Sequence, residues 1–232
     1  MTIDPLRYPQ PRSRHHTNPQ FYLPLSELHV VPSQYPPVPS ALDWQTLYAS
    51  GAAPRALDIG CGWGRFLIDL AEQRPQVNLL GIELRQQAVE WINGVIDGER
   101  VPNARALYYS VANGLPFIAD ASVEEVYYFF PDPWFKKRHG KRRAFTSAFL
   151  RELQRVMVPG GTLFLMTDVP EVDAAQCEIL MQSGTDAGAG PGVFEIDDVT
   201  DYGPWLPVMT DHELYCRRRG FAYTRKRCRL RS

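Results

Sequence analysis

The sequence predicts one α/β domain built on a mostly parallel sheet, and three observations carry that prediction. Short apolar runs of strand length alternate along the chain with longer segments of helical periodicity. An early strand empties into a glycine turn, Gly60-Cys61-Gly62-Trp63-Gly64, that opens a helix. Acidic residues then close successive strands, at Glu83, just past the strand end at Asp132, and at Asp168. That edge is where open parallel sheets bind ligands.

Residues 1–40 hold nine of the twenty prolines, which predicts an extended N-terminal arm without its own core, followed by the domain over 41–232. Pro54 to Ile59 reads as the first strand, and Phe66, Leu67, Leu70 and Ala71 mark one face of the helix after the glycine turn. Glycines there let a backbone approach a ligand closely, and the helix N-terminus favours a negative group. The spacing is G-x-G-x-G, with Arg65 where a dinucleotide fingerprint needs its third glycine. Val77 to Ile82 forms the second strand and ends at Glu83, about 20 residues after the turn, where an acid accepts from ribose hydroxyls. Together the loop and the acid predict a nucleoside-bearing cofactor.

Arg85 to Ile96 has helical periodicity, Ala104 to Ser110 suggests a third strand, and Val126 to Phe130 a buried fourth that delivers Asp132. Arg143 to Val158 places apolar residues at 145, 149, 153, 156 and 157, as a core-facing helix does. Pro159-Gly160-Gly161 should end it, and Thr162 to Thr167 should form a fifth strand finishing at Asp168. Residues 183–192, rich in Gly, Ala and Ser, read as a loop. Thr210-Asp211-His212-Glu213 has the form of a capping box, and Phe221 to Arg229 reads as a last, edge strand whose arginines guard against aggregation.

Composition narrows the function classes. Hydrophobic residues at 44% and aromatics at 12% are globular values, and no apolar run approaches the roughly 18 residues a membrane span needs. The polar, proline-bearing start has no apolar h-region, so neither signal peptide nor anchor is expected. Cys61, Cys177, Cys216 and Cys228 are scattered, with no metal-ligand spacing, which predicts a reducing cytoplasm and no structural metal. Net charge is −1, yet residues 136–143 carry six Lys/Arg and residues 217–231 eight, with no acid in either stretch. The rest of the chain holds eleven basic residues against all 26 acidic ones. Such segregation suits a phosphate backbone on one side and resists non-specific binding on the other.

The first basic stretch closes the most informative segment, Phe129-Phe130-Pro131-Asp132-Pro133-Trp134-Phe135-Lys136-Lys137-Arg138-His139-Gly140-Lys141-Arg142-Arg143. An acid able to face a base edge is followed by aromatics that stack and cations that meet phosphates. This segment resembles the signature of the tRNA (guanine-N7)-methyltransferase (TrmB) family, F-P-D-P-W-x-K-x-R-H-x-K-R-R, and matches every fixed position. Asp58-Ile59-Gly60-Cys61-Gly62-Trp63-Gly64 with Glu83 resembles the Rossmann-like class I S-adenosylmethionine-dependent methyltransferases. Arg14-His15-His16-Thr17-Asn18-Pro19 is similar to a short R-x-H-x-N-P element of some family members.

The resemblance implies a mostly parallel seven-stranded sheet with helices on both faces, S-adenosylmethionine as cofactor, and tRNA as substrate, modified at a variable-loop guanine. It implies cofactor contacts from Asp58, Gly60, Gly62, Gly64, Glu83 and Asp132. Where the family has Asp/Asn before Ala at the adenine, this chain has Val111-Ala112-Asn113, so Asn113 is the displaced candidate. Asp132 is the catalytic candidate. Lys136, Lys137, Arg138, Arg142, Arg143, Asp168, Thr210 and Glu213 are the candidates for holding tRNA; at Asp211, where the family often has Lys, the charge is inverted. Monomer and homodimer both fit, and no partner subunit is evident. Two rival readings stand beside this one: a methyltransferase for exocyclic amines, since Asp132-Pro133-Trp134 is similar to a D-P-P-Y loop, and a non-catalytic RNA-binding or assembly protein.

Overall fold

A computed structural model of the chain describes residues 3–12, 17–132, 144–183, 192–201 and 205–231. Seven strands form one sheet in the order β3-β2-β1-β4-β5-β7-β6: β1 (Ala56–Ile59), β2 (Leu79–Glu83), β3 (Ala104–Tyr108), β4 (Val123–Phe129), β5 (Met157–Thr167), β6 (Phe194–Asp198) and β7 (Thr224–Leu230). The first five strands pair in parallel, and β7 runs antiparallel to both β5 and β6. Every residue of β1 and β2 is buried, as expected for strands covered on both faces.

The pleat divides the core. Along β4, Val126 and Tyr128 pack with α4 (Ser147–Val156) and α5 (Pro170–Gln182). Tyr127 and Phe129 face the opposite way, with α2 (Arg65–Gln73), α3 (Gln86–Glu99) and α6 (Asp211–Arg219). A short α1 (Trp44–Leu47) precedes the sheet. Thr146 caps α4 by accepting from Phe149 N at 3.1 Å, which starts that helix four residues after the basic run.

Three expectations change. The fourth helix ends at Val156, and β5 already begins at Met157, so Pro159-Gly160-Gly161 lies within the strand at a register shift against β4. A bulge, with Gly160 at φ +79°, absorbs the residues that cannot pair. The last strand is interior, because β6 pairs outside it and is itself the edge. Its buried Lys226 is neutralised internally, with Nζ meeting Asp198 at 2.5 Å and Asp173 at 3.3 Å.

The arm is also more than an extended tail. Residues 3–12 lie on α3, where Arg7 pairs with Glu99 at 2.6 Å and Trp91 Nε1 donates to the Tyr8 carbonyl at 3.2 Å. Further on, Pro19–Tyr22 makes a 3-10 turn capped by Asn18, and Phe21 is buried. The arm thereby crosses the C-terminal edge of the sheet, above the point where the strand order reverses between β1 and β4.

Candidate active site

The turn after β1 takes its shape from three left-handed glycines: Gly60 at φ +77°, Gly62 at +62° and Gly64 at +71°. Their jobs differ. A Cβ on Gly60 would meet nothing within 4 Å, so this glycine is needed for its backbone conformation and leaves an open cradle. On Gly64 a Cβ would come within 2.8 Å of Ile92, so this position lets α2 approach α3.

Glu83 closes the cradle from β2. Its Oε2 accepts from Gly62 N at 2.9 Å, and its Oε1 from Leu84 N at 2.9 Å, Arg85 N at 3.0 Å and Arg85 Nε at 3.1 Å. The same guanidinium lies over Trp63, 5.4 Å from the ring centroid. Beneath the turn, Asp58 is buried, and its Oδ2 has no hydrogen-bond partner. Burial, and then the charge of Glu83, push its carboxyl up to about 8. A buried carboxylate oxygen without a donor under a glycine cradle fits a ligand that brings its own donor, as the ammonium of S-adenosylmethionine would. Glu83 fits the ribose hydroxyls of the same cofactor.

A cavity of about 230 Å³ opens above, bounded by Gly60, Glu83, Ser110, Tyr128, Tyr22 and Asp132. Asp132 reaches it because the chain turns sharply as it leaves β4. Phe130 sits at φ +46°, a conformation bulky residues rarely adopt, held by Phe130 N donating to the Met166 carbonyl at 2.8 Å. The Phe130 ring packs on His212 at 4.5 Å and on Tyr223 at 5.9 Å. Asp132 Oδ2 then accepts from the Tyr22 hydroxyl at 2.6 Å. Burial, followed by the neighbouring Asp132 charge, raises the Tyr22 phenol well above its ordinary value, so it stays a donor.

The structure thus brings Gly60, Gly62, Glu83 and Asp132 to one cavity, with Asp58 below. Asn113 is placed otherwise. Its Oδ1 accepts from Leu25 N at 2.7 Å and its Nδ2 donates to Tyr35 Oη at 2.8 Å, so the side chain holds the arm, while Val111 and Ala112 line the cavity instead. Asp168 closes β5 and meets His212 Nε2 at 2.9 Å. Thr210 caps α6, accepting from Glu213 N at 3.0 Å. Glu213 is fully buried, its Oε1 bonded to Arg217 at 3.1 Å and to the Tyr223 hydroxyl at 3.0 Å. These side chains form a second group beside Phe130, with Thr210 and Glu213 committed inside the protein. Lys136, Lys137, Arg138, Arg142 and Arg143 lie outside the described residues. Sequence reasoning missed Tyr22 and Arg85; Arg85 had a signal, a cation two residues beyond the strand-end acid, and Tyr22 had none.

The fold, the glycine cradle and the strand-end Glu83 define a Rossmann-like S-adenosylmethionine-dependent methyltransferase. Solved structures agree on the fold: an S-adenosylmethionine-dependent O-methyltransferase from Thermotoga maritima superposes with TM-score 0.51 at 13% identity, covering 77% of this chain and 60% of its own. A [4+2]-cyclase, SpnF, gives TM-score 0.52 at 16% identity, covering 80% of this chain and 77% of its own, so the architecture alone does not select a reaction. A family model described as "Putative methyltransferase" matches residues 52–185. Among curated proteins, the tRNA (guanine-N(7)-)-methyltransferase of Synechococcus elongatus is 37% identical, covering 72% of this chain and 75% of its own. The protein of the same name from Thermosynechococcus vestitus is 34% identical, covering 92% of each chain. The chain belongs to the tRNA (guanine-N7)-methyltransferase family.

Proposed function

We propose that this protein transfers the methyl group of S-adenosylmethionine to N7 of a guanine in the tRNA variable loop, in the cytoplasm. The observation that carries the reading is the position of Asp132, at the C-terminal end of β4 on the same cavity as Gly60 and Glu83. Guanine N7 has a free lone pair, so no prior deprotonation is needed. The lone pair forms the new bond to the methyl carbon while the methyl–sulfur bond breaks and its electrons remain on sulfur. The purine becomes cationic, and a carboxylate at its Watson–Crick edge both orients it and stabilises that charge. Asp132 has this role. Gly60, Gly62, Glu83 and Asp58 hold the cofactor on the other side of the cavity. Lys136 fixes a phosphate or ribose, and Lys137, Arg138, Arg142 and Arg143 grip the backbone. Asp168, Thr210 and Glu213 support the substrate side, Glu213 from beneath through Tyr223 and Phe130.

The test is to incubate the purified protein with the cofactor and unmodified tRNA transcript, then digest and look for 7-methylguanosine by mass spectrometry. Its appearance in a variable-loop fragment is the expected result, with Asp132→Ala abolishing it while tRNA still binds. Methylation at an exocyclic amine, or cofactor binding without turnover on any tRNA, refutes the assignment.

A further inference from the structure

The arm contributes one polar side chain to the cavity beside the acid that the reaction needs. We propose that Tyr22 is a positioning residue for the methyl transfer, its hydroxyl fixing the Asp132 carboxylate in the orientation that receives the guanine; this rests on the reading of Asp132 above. The contact is short, with the hydroxyl oxygen 2.6 Å from Asp132 Oδ2, as expected when the acceptor is ionised. A carboxylate offers about four lone-pair sites, so it can accept from more than one donor at once.

Fixing matters because of where Asp132 stands. It lies three residues past the end of β4, beyond the positive-φ Phe130 and outside the sheet's ladder. Tyr22 ties it to a segment anchored independently. Ser110 Oγ donates to the Phe21 carbonyl at 2.5 Å, and Asn113 receives Leu25 N at 2.7 Å. Tyr35 donates to the Leu23 carbonyl at 2.7 Å and packs edge-on against the buried Phe21 ring at 5.8 Å. Bonds flank Tyr22 on both sides, so its hydroxyl is preorganised. These anchors also explain why Asn113 faces the arm: it holds the strap that carries Tyr22. A hydroxyl in this place could alternatively occupy the guanine's own site and compete with it, and the two roles give opposite kinetics.

The experiment uses the full chain as wild type, Tyr22→Phe and Tyr22→Leu, with single-turnover formation of 7-methylguanosine at saturating cofactor and separate dissociation constants for tRNA and S-adenosylhomocysteine. The Phe variant keeps the ring and removes only the hydroxyl. It should lower the single-turnover rate by about tenfold or more and leave both dissociation constants within about twofold. The Leu variant should be at least as slow. A Phe variant with the wild-type rate beside a slow Leu variant would mean that the ring is only a wall, and overturns the proposal. A rise in kcat/KM for tRNA in the Phe variant would mean competition with the guanine, and overturns it too. Wild-type protein that forms no 7-methylguanosine defeats the assigned reaction itself, and the proposal with it.

Discussion

Replacing Glu83 by Gln separates the two halves of the cofactor argument. The carboxylate accepts from Gly62 N on one oxygen and from Leu84 N and Arg85 N on the other, at 2.9, 2.9 and 3.0 Å. A glutamine keeps one oxygen for the latter pair, and its amide nitrogen then faces the Gly62 N–H, donor against donor. Glu83 is buried, so solvent screening offers little relief. Hydrogen bonds to an ionised group have a net worth of about 1.5–3 kcal/mol, and the Arg85 guanidinium loses its counter-charge as well. Losing about 2 kcal/mol should lower Tm by roughly 4–8 °C in a domain of this size. The same loss at the ribose weakens S-adenosylhomocysteine by about 30-fold. Using the product rather than the sulfonium removes a second charge effect, and isothermal titration calorimetry beside a thermal melt reads both quantities. A variant that melts earlier yet binds within threefold of wild type would refute the ribose assignment and leave Glu83 as an internal brace.

Two further outcomes follow from charge. Burial and the neighbouring Glu83 hold Asp58 at about 8, above its ordinary 3.8, so the folded chain keeps a proton that the unfolded chain loses. Its stabilising contribution is therefore complete below the unfolded value and lost as pH rises through the folded one. Wild type should lose urea stability relative to Asp58→Asn between about pH 4 and about pH 8, and parallel pH profiles for the two would show that Asp58 is not the buried acid responsible. Neutralising Lys137, Arg138, Arg142 and Arg143 together should weaken tRNA binding and reduce the slope of log affinity against log salt by about 3. An unchanged slope would place the basic run away from the phosphates.

The features legible in the sequence are those built within a few residues. The glycine turn, Glu83 at the end of β2 and Asp132 after β4 each follow from local spacing, because a strand end fixes where the next side chains project. What stayed hidden depends on partners far away in the chain. The basic alternation of Arg225, Lys226 and Arg227 reads as an edge, and only the pairing with Asp197 and Asp198 of β6 makes β7 an interior strand. Thr210 and Glu213 fit a capping box and a substrate element equally well by spacing; in the structure Thr210 accepts from Glu213 N while the Glu213 side chain turns to Arg217 and Tyr223, contacts that spacing does not announce. The arm is the largest gap. Its prolines predict an extended chain, which is right locally, but no periodicity announces that Phe21 will be buried or that Tyr22 will meet an acid 110 residues away. Asn113 shows the same limit in reverse. The family resemblance makes it the displaced candidate for the adenine, and its side chain is engaged with Leu25 and Tyr35. A part-buried amide takes the donors and acceptors that the fold presents, and here the strap over the cavity presents them first. The sheet edge thus determines which acids line the cavity, and the arm meets one of them through the Tyr22 hydroxyl.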